Sequence, residues 1–324
     1  MKIKEVVVIT GASSGIGRAT ALAFAGKGVA VVVAARREDA LEKVAAECEE
    51  RGAQAMAVPT DVSDPDAVVE LGRQAVDRFG RIDVWVNGAA VSVYGPILDV
   101  PLDDFRRVLD VNVMGYVHGA RVALRHMRDQ GSGVLVNVSS ITSFVPQPYA
   151  TAYVMSKAAV SALSASLRQE LQLTGDRKIK VCTVMPATID TPLFQHAANY
   201  TGRRVVAMPP VYPAEHVAKT IVRLARRPRR EVIVGRSGQV MRRQARKRPH
   251  VLERTAARLV DRTHLSREEP APAMSGNLHV APADTGSVTG GWEGKRRTAV
   301  RRLATASVVG AAAITAGRAM AAKR

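Results

Sequence analysis

The chain has 324 residues, 47% of them apolar and 4% aromatic, and a formal net charge of +18. That length suits one large core plus an appendage, and so few aromatics argue against a stacking surface for single-stranded nucleic acid. The charge is localised: residues 1–200 carry 21 Lys/Arg against 21 Asp/Glu and residues 201–324 carry 26 against 8, so the whole excess lies in the C-terminal part.

Short β-branched runs alternate with segments of helical length. Strands are predicted at Val6–Thr10, Ala30–Ala34, Ala55–Pro59, Val84–Asn87, Val134–Ser139, Lys180–Met185 and Glu231–Val234. Helices are predicted at Gly15–Gly26, Glu38–Arg51, Asp64–Phe79, Leu102–Gln130 and Tyr153–Leu173. The strand runs are almost continuously apolar, as when both faces of a sheet are covered. This βαβα order implies an α/β fold: a Rossmann-like, doubly wound parallel sheet of about seven strands, with helices on both faces and right-handed crossovers. After Gly235 the rhythm stops. Val240–Leu265 is Arg-rich, with Val251, Leu252, Ala256, Leu259 and Val260 at partly helical spacing. Ser266–Trp292, rich in Pro, Gly, Ser and Ala, reads as a linker. Lys295–Arg324 opens basic and continues as an alanine-rich helix candidate. The expected division is residues 1–236 as the α/β domain and 237–324 as a basic, partly helical extension.

Cys48 and Cys182 fit no CxxC or metal spacing, and the seven histidines show no ligand cluster, so no metal site is expected. The N-terminus MKIKEVVVIT enters a strand at once, too short an apolar run for a signal peptide. No apolar stretch reaches the length of a membrane span, Leu303–Gly317 coming nearest. A cytoplasmic protein is expected.

The first strand runs into Thr10-Gly11-Ala12-Ser13-Ser14-Gly15-Ile16-Gly17 and then a helix. Glycines there allow a sharp turn and bring backbone N–H groups close to a pyrophosphate, which a helix N-terminus favours. The spacing is TGxxxGxG rather than GxGxxG. In this it resembles the loop of the short-chain dehydrogenase/reductase family, and four further motifs agree in order and spacing over residues 4–236. The resemblance implies that Gly11, Ser13, Ser14, Gly15, Ile16 and Gly17 cradle a dinucleotide, with Asp61 and Val62 bordering its adenine. Val86-Asn87-Gly88-Ala89-Ala90 stands where the family usually shows NNAG. Gly88 replaces the second Asn and Ala90 the Gly, yet Asn87 can still brace the central strand and Gly88 and Ala89 still border the cofactor.

Cofactor choice is read at the end of the second strand, Ala34-Ala35-Arg36-Arg37. A carboxylate there would hold the ribose 2′-hydroxyl of NAD, whereas an Arg accommodates the 2′-phosphate of NADP. Ala35 stands where NAD-dependent relatives carry Asp, and Arg36 and Arg37 follow, so NADP(H) is expected over NAD(H).

Tyr153-Val154-Met155-Ser156-Lys157 puts a phenol and an ammonium four residues apart on one helix face. An adjacent ammonium favours phenolate and so lowers the phenol's pKa. Ser140, in Asn137-Val138-Ser139-Ser140 at a strand's carboxyl end, matches the family's catalytic serine. Ser139 should point the other way. Asn112 matches the family's fourth catalytic residue, which sits at a helix irregularity and relays protons to the lysine through water. Pro186-Ala187-Thr188-Ile189-Asp190-Thr191 resembles PGxxxT, with Ala187 for Gly. Pro186, Thr188 and Thr191 would then border the nicotinamide, and Tyr153 and Lys157 also meet the cofactor. The implied activity is NADP(H)-dependent interconversion of a carbonyl and a secondary alcohol, with Tyr153 as acid/base.

Substrate contacts are expected from Ser140, Tyr153, Tyr94 and Phe194. Apolar neighbours such as Val93, Leu193 and Met208 suggest an apolar substrate. The resemblance implies a homodimer or homotetramer. The basic tail reads first as a solvated extension. A second reading is peripheral membrane contact through Arg296, Arg297, Arg301 and Arg302; nucleic acid is not expected. Two other functions stay open: an NADP(H)-binding sensor, and a membrane-associated scaffold on the same fold.

Overall fold

The computed structural model describes residues 3–283 and 286–292. Its centre is a seven-stranded parallel sheet: β1 (Glu5–Thr10), β2 (Val29–Ala35), β3 (Gln54–Pro59), β4 (Val84–Asn87), β5 (Gly133–Val138), β6 (Ile179–Pro186) and β7 (Glu231–Val234). The order is β7-β6-β5-β4-β1-β2-β3, as a doubly wound Rossmann-like sheet requires. All seven predicted strands are present. The order reverses at β1, so a crevice opens beyond the carboxyl ends of β1 and β4, where such sheets take ligands.

Alternation along each strand sorts the core into two layers. Val7 and Ile9 of β1 face α1 (Gly15–Phe24), α2 (Glu38–Glu50) and α7 (Ala214–Arg226), through residues such as Phe24, Leu41, Val217 and Ile221. Val8 faces the other way, with Trp85 and Leu135, toward Val68 and Leu71 of α3 (Pro65–Phe79) and Ala123 and Met127 of α5 (Gly115–Gln130). Cys48 and Cys182 are free and buried in the first layer, as small core residues. Helix α3 shows how local chemistry sets a boundary. Asp64 caps it by accepting from the backbone N–H of Asp66 at 2.9 Å, Pro65 occupies the first turn, and Gly80 closes it at φ +79°.

Two expectations are corrected. The single helix Leu102–Gln130 is two helices, α4 (Leu102–Leu109) and α5, joined by a π-turn at Asp110–Met114. The wider turn brings Asn112 to full burial, where its side chain pairs with both backbone groups of Val91 at 2.9 Å. The linker Ser266–Trp292 is not a free linker. Leu265–Pro270 forms a strand antiparallel to Arg203–Val205, and the rest packs on the domain. Pro and Gly mark the absence of regular structure, not the absence of contacts.

Before that strand come α8 (Arg236–Lys247) and α9 (Pro249–Thr263). Helix α8 lies so close to the body that a Cβ on Gly238 would come within 2.7 Å of the Ile141 side chain. Among the described residues, no helix is long and apolar enough to cross a membrane. The tail arginines 296, 297, 301 and 302, and the helix candidate that follows them, lie outside the described residues.

Candidate active site

The glycine loop leaves β1 at the crevice. Gly11 takes φ +71°, and a Cβ there would lie 2.6 Å from the Ala89 Cα, so only glycine fits. A Cβ on Gly17 would overlap the Gly11 carbonyl. Thr10 ties this loop to the next, its Oγ1 accepting from the Gly88 N–H at 3.1 Å. Ser14 sits at the N-cap of α1 without a side-chain capping bond. The first N–H groups of the helix therefore have no side-chain partner there, the arrangement that suits an anion.

One cleft runs from this loop to Tyr153. Gly11, Ser13, Ser14, Gly15, Ile16 and Gly17 line it, as do Arg36, Arg37, Asp61, Val62, Gly88 and Ala89. At the other end stand Tyr94, Ser140, Tyr153, Lys157, Pro186, Thr188, Thr191 and Phe194. Asn87 and Asn112 do not line it. Asn87 is buried and fully engaged: its Oδ1 accepts from the Trp85 indole at 2.8 Å and its amide donates to Asn137 at 2.9 Å. It braces the central strands from behind.

Helix α6 (Thr151–Leu173) carries Tyr153 and Lys157 on one face. Lys157 is 1% exposed, and its Nζ lies 5.5 Å from the Tyr153 ring centroid. It donates to the Val138 carbonyl at 3.0 Å and to the Tyr116 hydroxyl at 3.3 Å. Burial dominates the titration of both groups. It pushes the Lys157 ammonium down to about 7 and the Tyr153 phenol up to about 12, the latter opposed by the Ser140 hydroxyl. The lowering of Tyr153 expected from Lys157 does not appear here: burial raises the phenol, and the opposing contact is with Ser140.

The two serines differ as strand alternation requires. Ser139 Oγ donates to the Lys157 carbonyl at 2.8 Å and fixes α6 against β5. Ser140 Oγ accepts from the Thr142 N–H at 3.2 Å and stands beside the phenol. Asn112 reaches Ser156 Oγ at 3.0 Å, not Lys157, so any support it gives the lysine is indirect.

Three features escaped the sequence reading. Tyr116 lies four residues after Asn112, a spacing that offered a signal, and braces Lys157. Residues 277–283 and 286–292 cover the cleft. Arg36 donates to the carbonyls of Asn277 at 2.6 Å and Leu278 at 3.2 Å, and Arg107 donates to Leu278 at 3.0 Å. Gly15 N–H donates to the Ser287 carbonyl at 2.8 Å, and Arg18 to Gly286 at 2.7 Å. At the far end Asp190 Oδ1 accepts from the N–H of Gly290 and of Trp292, both at 2.9 Å. Third, His264, which follows α9, lines the cleft beside Tyr94 and Phe194.

A dinucleotide fits these residues. The cleft joins a helix N-terminus that lacks a side-chain cap, its Gly15 N–H held by the Ser287 carbonyl of the cover, to a phenol–amine pair. Two buried oxygens lining it, Thr142 Oγ1 and Asn277 Oδ1, have no hydrogen-bond partner among the described residues.

The family model described as short chain dehydrogenase matches residues 5–200. The chain is 38% identical over 237 residues to an uncharacterized oxidoreductase of Bacillus subtilis, covering 72% of this chain and 66% of that protein, slightly under two thirds of its length. It is 36% identical over 200 residues to one from Staphylococcus aureus, covering 62% and 84%. Among solved structures it is similar to a short chain dehydrogenase/reductase from Burkholderia phymatum in complex with NAD, at TM-score 0.68 and 25% identity over 78% of this chain and 96% of that one. It is also similar to an alcohol dehydrogenase from Thermococcus sibiricus complexed with 5-hydroxy-NADP, at TM-score 0.62 and 27% identity over 71% and 95%.

Proposed function

The chain belongs to the short-chain dehydrogenase family, and on that premise we propose that it is an NADP(H)-dependent oxidoreductase interconverting a carbonyl and a secondary alcohol, with Tyr153 as acid/base. The observation that carries this reading is the meeting of Tyr153, Lys157 and Ser140 at one end of a cleft whose other end is the glycine loop. In this reading residues 1–236 hold the chemistry and 237–324 form an extension whose described part closes over the site.

When bound, the dinucleotide supplies or takes up the hydride. Ser140 donates a hydrogen bond to the substrate oxygen and steadies the negative charge that grows there. Tyr153, a protonated phenol at neutral pH, gives its proton to that oxygen during reduction. Lys157, when protonated beside the phenol, favours the phenolate that remains. Asn112 is a positioning residue, tying Val91 to the helix that carries Tyr153. Gly11 to Gly17 hold the phosphates, Asp61 and Val62 border the adenine, and Pro186, Thr188 and Thr191 border the nicotinamide.

Relatives of known structure include complexes with NAD and with an NADP derivative, so the choice of NADP(H) rests on Ala35 and Arg36. The Arg36 guanidinium is held by neutral carbonyls. A 2′-phosphate brings the opposite charge and the bidentate oxygen geometry that those carbonyls lack, and displaces them. A homodimer or homotetramer through α5 and α6, a cytoplasmic location and an apolar substrate belong to the same reading.

The test is loss of NADPH absorbance with a panel of apolar ketones and aldehydes, wild type against Tyr153→Phe. The expected result is turnover that falls about 10³-fold in the variant while NADPH affinity is kept. Tight NADPH binding with no turnover by wild type across the panel would overturn the enzyme reading in favour of a sensor.

A further inference from the structure

The substrate end of the cleft is closed by a side chain from the C-terminal extension. His264, immediately after α9, is 3% exposed. Its ring meets Tyr94 edge-on at 5.1 Å between centroids and Phe194 at 5.5 Å. All three line the same cleft as Ser140 and Tyr153. Tyr94 packs in one cluster with Tyr153 and Phe194, together with Leu265 of the extension.

The hydrogen bonds here run in one direction only. His264 Nδ1 is bonded to the Val206 carbonyl. A carbonyl only accepts, so Nδ1 carries the proton. Burial pushes His264 down to about 4, so the ring is neutral and Nε2 is a bare acceptor. Tyr94 Oη lies 3.2 Å from Nε2 and therefore donates to it. Burial first, and then the nearby Tyr153 phenol, raise the Tyr94 phenol against the opposing Ser92 hydroxyl, so it keeps its proton. Its one proton is committed to His264. Tyr94 Oη keeps its lone pairs: the buried Ser92 hydroxyl stands beside one of them, the other is what it offers the cleft, and Phe194, Leu193 and Met208 line that cleft with apolar surface.

We propose that Tyr94 and His264 form a second substrate subsite, one that takes a neutral hydrogen-bond donor, a hydroxyl, on an otherwise apolar substrate whose carbonyl lies at Ser140 and Tyr153. This rests on the oxidoreductase reading above and names its substrate class: an apolar hydroxyketone, or the diol it is reduced to. An ether or a second ketone offers only acceptors and meets another acceptor. An ammonium is disfavoured by the same burial that keeps His264 neutral. The extension thus contributes to substrate choice through a ring that closes the pocket and orients Tyr94.

The test uses the full chain with NADPH and a series of ω-hydroxy-2-alkanones of seven to ten carbons, each paired with its methyl ether. Within a pair the only lost feature is the donor. The expected result is one chain length at which wild type favours the hydroxyketone by about 10-fold in kcat/KM, the size of one hydrogen bond. Tyr94→Phe should reduce that ratio to about 1, and His264→Leu should reduce it at least in part. Equal handling of both members by wild type at every length overturns the subsite, and needs no variant that has to fold. So does a ratio preserved in a Tyr94→Phe protein that melts like wild type. Calorimetric affinities of the same pairs in the presence of NADPH give the subsite a readout independent of turnover. Absence of turnover with a clear affinity ratio would sink the oxidoreductase reading and leave the subsite standing.

Discussion

The two walls of the cleft are made differently. The wall built from β1, β4, β5 and α6 uses side chains of fixed chemistry: the Tyr153 phenol, the Lys157 amine and the Ser140 hydroxyl. The covering wall, residues 277–283 and 286–292, uses the main chain. The carbonyls of Asn277, Leu278, Gly286 and Ser287 meet Arg36, Arg107, Arg18 and the Gly15 N–H. Any sequence carries carbonyls, so the cover is constrained by path and shape, and the body by residue type. On the proposed reading, function in the first wall should be lost by changing one atom, and in the second it should be changed by altering what the carbonyls hold.

The sharpest way to separate the walls is Lys157→Met. Activity should fall about 10³-fold, yet the folded state should gain stability. Lys157 is held at about 7 when folded, against 10.5 as the ordinary value. Its folded pKa is depressed, so the penalty on the folded state grows as pH falls from about 10.5 to 7 and is complete below that. Methionine removes it, and the Val138 carbonyl keeps a donor in Tyr116 at 3.0 Å. Calorimetry at pH 7 should show a gain of about 1–3 kcal/mol, with hydrogen exchange of residues 277–292 unchanged. A loss of stability would show that the buried amine is structural.

Arg36→Ala probes both walls at once. It should lower the preference for NADPH over NADH by about 10- to 100-fold, the scale of a charge-assisted contact, read from the ratio of the two Kd values. It should also raise hydrogen exchange at Leu278 and His279. An unchanged cofactor ratio with a loosened cover would assign Arg36 to the cover alone.

Acid should separate the walls most gently. His264 has a folded pKa of about 4 and an ordinary value of 6.5. Between those values the unfolded chain takes up a proton that the folded one refuses. Stability from this group is intact above pH 6.5 and is lost as pH falls toward 4, by about 3 kcal/mol at most. Exchange in α9 and Leu265–Pro270 should rise before exchange in β4 and β5. Simultaneous rise in both regions would mean that the extension and body open as one unit.

The same contrast explains what was legible in the sequence. The seven strands were readable because burial on both faces demands continuous apolar runs. Gly11 and Gly17 were readable because no other residue fits, and Tyr153, Lys157 and Ser140 because their types and spacing match the family's motifs, and the structure brings them to one end of the cleft. The π-turn left no mark on the composition of Leu102–Gln130, since one extra residue per turn keeps it helical; only the resemblance placed an irregularity at Asn112. The cover at 277–292 was hidden because main-chain acceptors have no residue signature. His264 was hidden because a lone histidine among many arginines gains meaning only when Tyr94, 170 residues away in sequence, is seen against it.

The Gly15–Ser287 bond joins residues on opposite ends of the chain, and this fixes an order of events during synthesis. The sheet is complete once β7 ends at Val234, whereas the cover must wait for Ser287 to emerge. At about 5–20 residues per second of translation, the body stands finished and uncovered for roughly 3–10 s. A dinucleotide arriving in that interval would meet a groove without its cover.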